Sequence, residues 1–123
     1  MLHTHAIVWI DHAEAHIIGI NPDDVENSVI KPAQPPHHLR KGSGRVPEDQ
    51  HYYHEVVEAL RGIKEIVIVG PSDAKLHLIK HIHKHDHDLV GNVVGVETVD
   101  HPSDAQLLAY ARKYFKITDA MLP

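Results

Sequence analysis

Apolar residues open this chain in two short runs. His5-Ala6-Ile7-Val8-Trp9-Ile10 and Ala15-His16-Ile17-Ile18-Gly19-Ile20 are separated only by Asp11-His12-Ala13-Glu14. Both runs are rich in β-branched residues, and so short a polar break predicts an antiparallel hairpin. Asn21-Pro22-Asp23-Asp24 reads as a turn. A third strand, about Glu26 to Lys31, then completes a meander. Further on, Glu65-Ile66-Val67-Ile68-Val69-Gly70 is apolar at odd and even positions alike, the pattern of a strand buried on both faces. A fifth strand is predicted near Val93 to Val99, after a turn at Gly91 and Asn92.

Helical spacing fills the intervals. Tyr53, Val56, Val57 and Leu60 share one face of a helix that starts near Pro47, with Glu48 and Asp49 in its first turn and Gly62 as its C-terminal stop. Pro71-Ser72-Asp73 opens a second helix, with Ser72 or Asp73 as cap, a core stripe of Ala74, Leu78, Ile79 and Ile82, and an end near His87 or Asp88. Asp100-His101-Pro102-Ser103 opens a third, with Asp100 fitting a cap and Leu107, Leu108, Ala111 and Phe115 on one face. Trp9 and Tyr53 are expected in the core, and residues 118–123 have little to hold them. The order β-β-β-loop-α-β-α-β-α predicts one α/β domain over residues 1–123: a mixed five-strand sheet with helices on both faces.

Composition narrows the function classes. The chain has 123 residues, 42% hydrophobic and 24% charged, which is globular. It has no cysteine, which excludes disulfides and thiolate metal sites and agrees with a cytoplasmic setting. No apolar run approaches the roughly 20 residues of a membrane span, and the N-terminus does not resemble a signal peptide. The net charge of −5 speaks against a duplex-DNA partner. Fourteen histidines are the compositional oddity.

The interval 32–47 breaks the pattern. Pro32, Pro35, Pro36, Pro47, Gly42 and Gly44 rule out regular structure, and Ser28 to Pro47 holds Lys31, Arg40, Lys41 and Arg45 with no acidic residue. Connections longer than roughly 12–15 residues are uncommon and often functional. Glycine lets the backbone approach phosphates and the cations supply salt-dependent attraction. His37, His38, Arg40, Lys41, Gly42, Ser43, Gly44 and Arg45 are therefore the candidate RNA- or ribosome-binding residues.

Three other constellations carry chemistry. His77, His81 and His85 recur at four-residue intervals on the second helix, as do His83 and His87; residues so spaced share a face and can chelate zinc or nickel, with Asp86 or Asp88 adding oxygen. No recognised zinc motif is present, so no resident cofactor is expected, only adventitious zinc or nickel. Asp11, at the end of the first strand, joins Glu14, Glu55 and Asp100 as carboxylates of a possible two-metal nuclease. Gly70-Pro71-Ser72-Asp73-Ala74-Lys75 offers a helix start that can hold an anion, although a simple cap competes with that reading. On the first helix, His51–Glu55 and His54–Glu58 are spaced as surface pairs. No serine or cysteine nucleophile stands beside them, and no catalytic set is assigned.

The element order is that of the ribonuclease H-like fold. Val8-Trp9-Ile10-Asp11 with Glu14-Ala15-His16-Ile17 resembles the opening hairpin of the middle domain of archaeal and eukaryotic class-I release factors and Pelota. Ile66-Val67-Ile68-Val69-Gly70-Pro71-Ser72-Asp73-Ala74-Lys75 resembles that family's strand-glycine-helix element, and Gln50-His51-Tyr52-Tyr53-His54-Glu55-Val56 its helix after the basic loop. The whole chain is similar to small bacterial stand-alone relatives of that domain, described as translational machinery proteins. The resemblance implies a translation-associated binding module with ribosome, rRNA or tRNA as partner. In the family the loop carries Gly-Gly-Gln; here Arg40-Lys41-Gly42-Ser43-Gly44-Arg45 has no glutamine, which argues against peptide release. A metal-dependent hydrolase using Asp11 and a histidine-based metal- or pH-responsive protein remain the alternatives.

Overall fold

The computed structural model describes residues 4–21, 24–32 and 50–116. Five strands, β1 (His5–Ile10), β2 (Ala15–Asn21), β3 (Asp24–Ile30), β4 (Glu65–Gly70) and β5 (Val93–Thr98), form one open sheet in the order β3-β2-β1-β4-β5. The pairs β1–β2 and β2–β3 are antiparallel, whereas β4 runs parallel to β1 and β5 to β4. Three helices, α1 (Gln50–Leu60), α2 (Ala74–His85) and α3 (Asp104–Tyr114), complete the layers. This is the ribonuclease H-like arrangement predicted from the element order.

Side-chain parity divides the core. Ala6, Val8 and Ile10 of β1 and Ile66 and Ile68 of β4 pack with α1 and α2 through Tyr52, Tyr53, Val56, Val57, Leu60, Leu78 and Ile82. Their neighbours Ile7, Trp9, Val67 and Val69 face the other way, onto Leu107 and Ala111 of α3. Successive strand residues point to opposite faces, so an unbroken apolar run is what a strand between two helical layers requires. Full burial of each such side chain contributes about 1.5–3 kcal/mol.

Several boundaries differ from those predicted. Helix α2 stops at His85, two or three residues early, because Asp86 leaves helical geometry (φ −136, ψ 55). A 3₁₀ segment, His87–Asn92, takes up Gly91 and Asn92, so these are not a simple turn. Its Asn92 side chain donates to the Ile63 carbonyl at 2.9 Å. Tyr52 is as buried as Tyr53, with its hydroxyl donating to the Asp11 carbonyl at 2.9 Å. Tyr52 lies one turn before Val56, at the edge of the same apolar stripe, and extends it under the strand end. Gly62 does end α1, at φ 87, where residues with a Cβ are strained.

Helix α3 is started by Ser103, not Asp100. Ser103 Oγ accepts from the Gln106 N–H at 3.1 Å and Gln106 Oε1 accepts from the Ser103 N–H at 2.9 Å, a reciprocal capping box. Asp100 instead offers its carbonyl to Trp9 Nε1–H at 2.6 Å. Beside Trp9, His16 ties β2 to α3: its Nε2 lies 2.8 Å from Glu14 Oε2 and its Nδ1 3.1 Å from Asp104 Oδ1. Burial works against protonating His16, but the two carboxylates outweigh it and raise its pKa above the ordinary 6.5.

Two outcomes follow from this packing. A Cβ on Gly70 would stand 2.2 Å from the Ile10 carbonyl oxygen, a backbone atom that cannot swing aside. Gly70→Ala should lower stability by roughly 1–3 kcal/mol, read from the urea midpoint. For His16, folding favours the charged imidazole, so its stabilisation is complete below the ordinary pKa and lost as pH rises through the raised one. The urea-midpoint advantage of the wild type over His16→Gln should therefore be larger near pH 5.5 than near pH 8; an equal advantage at both would contradict the assignment.

Candidate functional site

In open α/β sheets, ligand crevices form beyond the carboxyl ends of the parallel strands. Here that end gathers Asp11 after β1, the turn after β4, and the point where the described chain leaves β3 and re-enters at α1. The register places them together, since Ile10 pairs with Ala15 and Ala15 with Ile30.

Asp11 is built into its own turn. Its Oδ1 accepts from the Ala13 and Glu14 N–H groups at 2.8 and 2.9 Å, the local bonding typical of aspartate after a strand. Its other oxygen lies 3.5 Å from His101 Nε2. His101 also stands 3.3 Å from Asp100 Oδ1, and its ring centroid is 4.8 Å from that of Trp9. Glu14 turns to His16, and Glu55 faces His51 at 4.0 Å. The four carboxylates that a two-metal nuclease would use do not form a three-donor group among the described residues.

The start of α2 agrees with the cap reading in position but not in side-chain bonding. Asp73 occupies the cap position, but its side chain makes no cap hydrogen bond. Its carboxylate instead holds His12 Nε2 at 2.8 Å and His77 Nε2 at 3.3 Å. The hydrogen bond from His12 in particular keeps Asp73 below its ordinary pKa. Lys75 is buried and folds its ammonium back onto the Ser72 carbonyl at 2.6 Å. A carboxylate at the helix start and a lysine committed to backbone leave a poor cradle for an anion.

The histidine ladder on α2 separates into different surroundings. His77 faces Asp73. His83 and His87 approach one another, with ring centroids 6.3 Å apart. His81 and His85 come closer, at 4.6 Å, but His81 is buried and His85 exposed. The three-donor group among the described residues joins His81 to His54 of α1 and to Asp86, with ligand atoms all within 4.8 Å. It therefore shares only His81 with the expected trio of His77, His81 and His85. His54 also keeps the expected surface pairing with Glu58, at 4.0 Å. Spacing along one helix has no access to a donor supplied by a second helix, which is why His54 was read only as half of that pair.

The candidate RNA-binding residues His37, His38, Arg40, Lys41, Gly42, Ser43, Gly44 and Arg45 lie outside the described residues. Both flanks of that segment are described: Pro32 follows β3, and Gln50 begins α1 with its Oε1 at 2.7 Å from His81 Nδ1. Among the described residues, no helix is long and apolar enough to cross a membrane.

No family model matches the chain, and no curated protein does. Solved structures do match. Pelota from Thermoplasma acidophilum superposes with a TM-score of 0.60 at 18% identity, over 97% of this chain and 34% of that one. Pelota from Archaeoglobus fulgidus gives 0.65 at 15% identity, over 95% and 33%. The archaeal translation termination factor aRF1 gives 0.62 at 15% identity, over 96% and 36%. The chain thus spans about a third of the length of these proteins, and nearly all of it falls on that third. At such identities the likeness is one of fold, and the fold is that of a release-factor-like middle domain.

Proposed function

We propose that this chain is a translation-associated binding module that contacts the ribosome through RNA, using the basic segment from His37 to Arg45. The observation that carries the reading is a coincidence of fold and charge. A fold similar to that of a translation termination factor bears, from Ser28 near the end of its third strand to Pro47 ahead of its first helix, a stretch with four cations and no acidic residue, in a chain of net charge −5. Local charge of one sign on an otherwise acidic protein directs contact to that segment. Gly42 and Gly44 permit close backbone approach to phosphates, while Arg40, Lys41 and Arg45 supply the attraction. The segment lacks Gly-Gly-Gln, so the module binds without releasing peptide. A hydrolase reading has less support, because the carboxylates around Asp11 are spent on a turn and on histidine partners.

Co-sedimentation with ribosomes tests this reading. With three or four phosphate contacts, affinity should fall about 20- to 150-fold over a fourfold rise in salt. The triple variant Arg40→Glu, Lys41→Glu, Arg45→Glu should lose at least about 10-fold at low salt. Sedimentation that ignores both salt and the triple substitution would remove the proposal.

A further inference from the structure

The described interior holds one polar contact that its own protein groups do not satisfy. His81 Nδ1 stands 2.7 Å from Gln50 Oε1, an acceptor, so this nitrogen carries the proton and donates it. The opposite nitrogen, Nε2, then presents a lone pair. It faces Asp86 Oδ2 at 3.8 Å, and neither atom has a hydrogen-bond partner. The two side chains are 5% and 7% exposed, so bulk water does not solvate them. Asp86 Oδ1 is engaged by Arg61, which leaves Oδ2 as the unspent oxygen. His54, on the neighbouring helix, brings a ring nitrogen within 4.8 Å of both.

Two buried acceptors aimed at each other repel unless a positive species lies between them. A proton is a poor candidate. The gap of 3.8 Å is too long for a hydrogen bond, so a proton on either atom would not join the two. A metal ion fits better. Donors about 2.0–2.2 Å from a tetrahedral ion lie roughly 3.3–3.5 Å from each other, so the His81–Asp86 gap needs only a few tenths of an ångström of adjustment.

We propose that His54, His81 and Asp86 bind a divalent transition-metal ion of the zinc class, with Gln50 fixing the tautomer of His81 and Arg61 orienting Asp86. Two imidazoles and one carboxylate are a borderline donor set that suits zinc, and the chain has no thiolate to draw softer ions. Gln50 and Arg61 are the outer partners that such ligands need to hold their orientation. His54 is half-exposed and provides the path of entry. His85, with its ring 4.6 Å from that of His81, or a water completes the fourth position. The site joins α1, α2 and the residue that ends α2, so occupancy pins the two helices together. Lys80 and Lys84 line the adjacent depression of about 350 Å³, but neither satisfies Nε2 or Oδ2.

The test is calorimetric titration of zinc chloride into tag-free, chelator-treated protein, with cobalt(II) absorption reporting the geometry. The wild type should bind a single tight equivalent, give the intense visible bands of tetrahedral cobalt, and gain in urea midpoint on adding zinc. His54→Gln, at an exposed position that leaves folding intact, should weaken zinc binding by at least about 10-fold and abolish that gain. The near-isosteric Asp86→Asn should do the same, while the double variant His83→Gln, His87→Gln, on another face of the histidine-rich stretch, should bind as the wild type does. Unaltered binding by His54→Gln would overturn the site. So would equal loss in the His83, His87 variant, which would mean zinc scattered over surface histidines, and so would absence of any tight equivalent in the wild type.

Discussion

Strand β1 is the constraint on which the remaining architecture hangs. It lies third of five, with β2 antiparallel on one side and β4 parallel on the other. Five of its six residues are buried. Because alternate residues point to opposite faces, Ala6, Val8 and Ile10 commit one face to α1 and α2, while Ile7 and Trp9 commit the other to α3. A shift of one residue in its pairing would exchange these two sets and leave neither layer matched. Gly70 guards the register at the far end, where β4 comes so close to Ile10 that no side chain fits.

Where β1 ends, polar groups take over from apolar ones. Asp11 closes the hairpin with its own carboxylate and receives Tyr52 from α1, so the strand end, the turn and the first helix are tied at one point. Trp9 performs the matching task on the opposite face by donating to Asp100. These bonds lie at the carboxyl end of the parallel strands, close to where the described chain leaves β3 and re-enters at α1. That is where this class of fold concentrates its ligand contacts.

The histidines illustrate how one residue type acquires separate roles from its surroundings. His16 is held between two carboxylates and is driven toward its charged form. Burial above all, with His85 and His54 nearby, drives His81 toward neutrality against the pull of Asp86. His12 and His77 share Asp73 near the surface, where ion pairs are screened by water and contribute little to stability. Four-residue periodicity on α2 does not distinguish His77 from His81, because their partners come from α1, the hairpin turn and the residues flanking the helix.

Most of the fold was legible in the order of residues. A β-branched run marked residues 5–10 as a hairpin strand, apolar positions of both parities marked 65–70 as a strand covered on both faces, helical spacing marked the three helices, and Gly62 marked a stop; all of these depend on neighbours in sequence, which a linear reading can see. The start of α3 was misassigned to Asp100 because two plausible caps stand three residues apart, and the choice of Ser103 rests on the reciprocal bond with Gln106. The candidate metal group was out of reach for a deeper reason. Its members lie on α1, on α2 and just after α2, and His54 meets His81 only because both helices pack on the same face of the sheet. Local sequence determines which segments become helix or strand, since that choice is made by backbone geometry and side-chain period; the meeting of distant donors, and hence their charge and chemistry, is decided by how those segments pack.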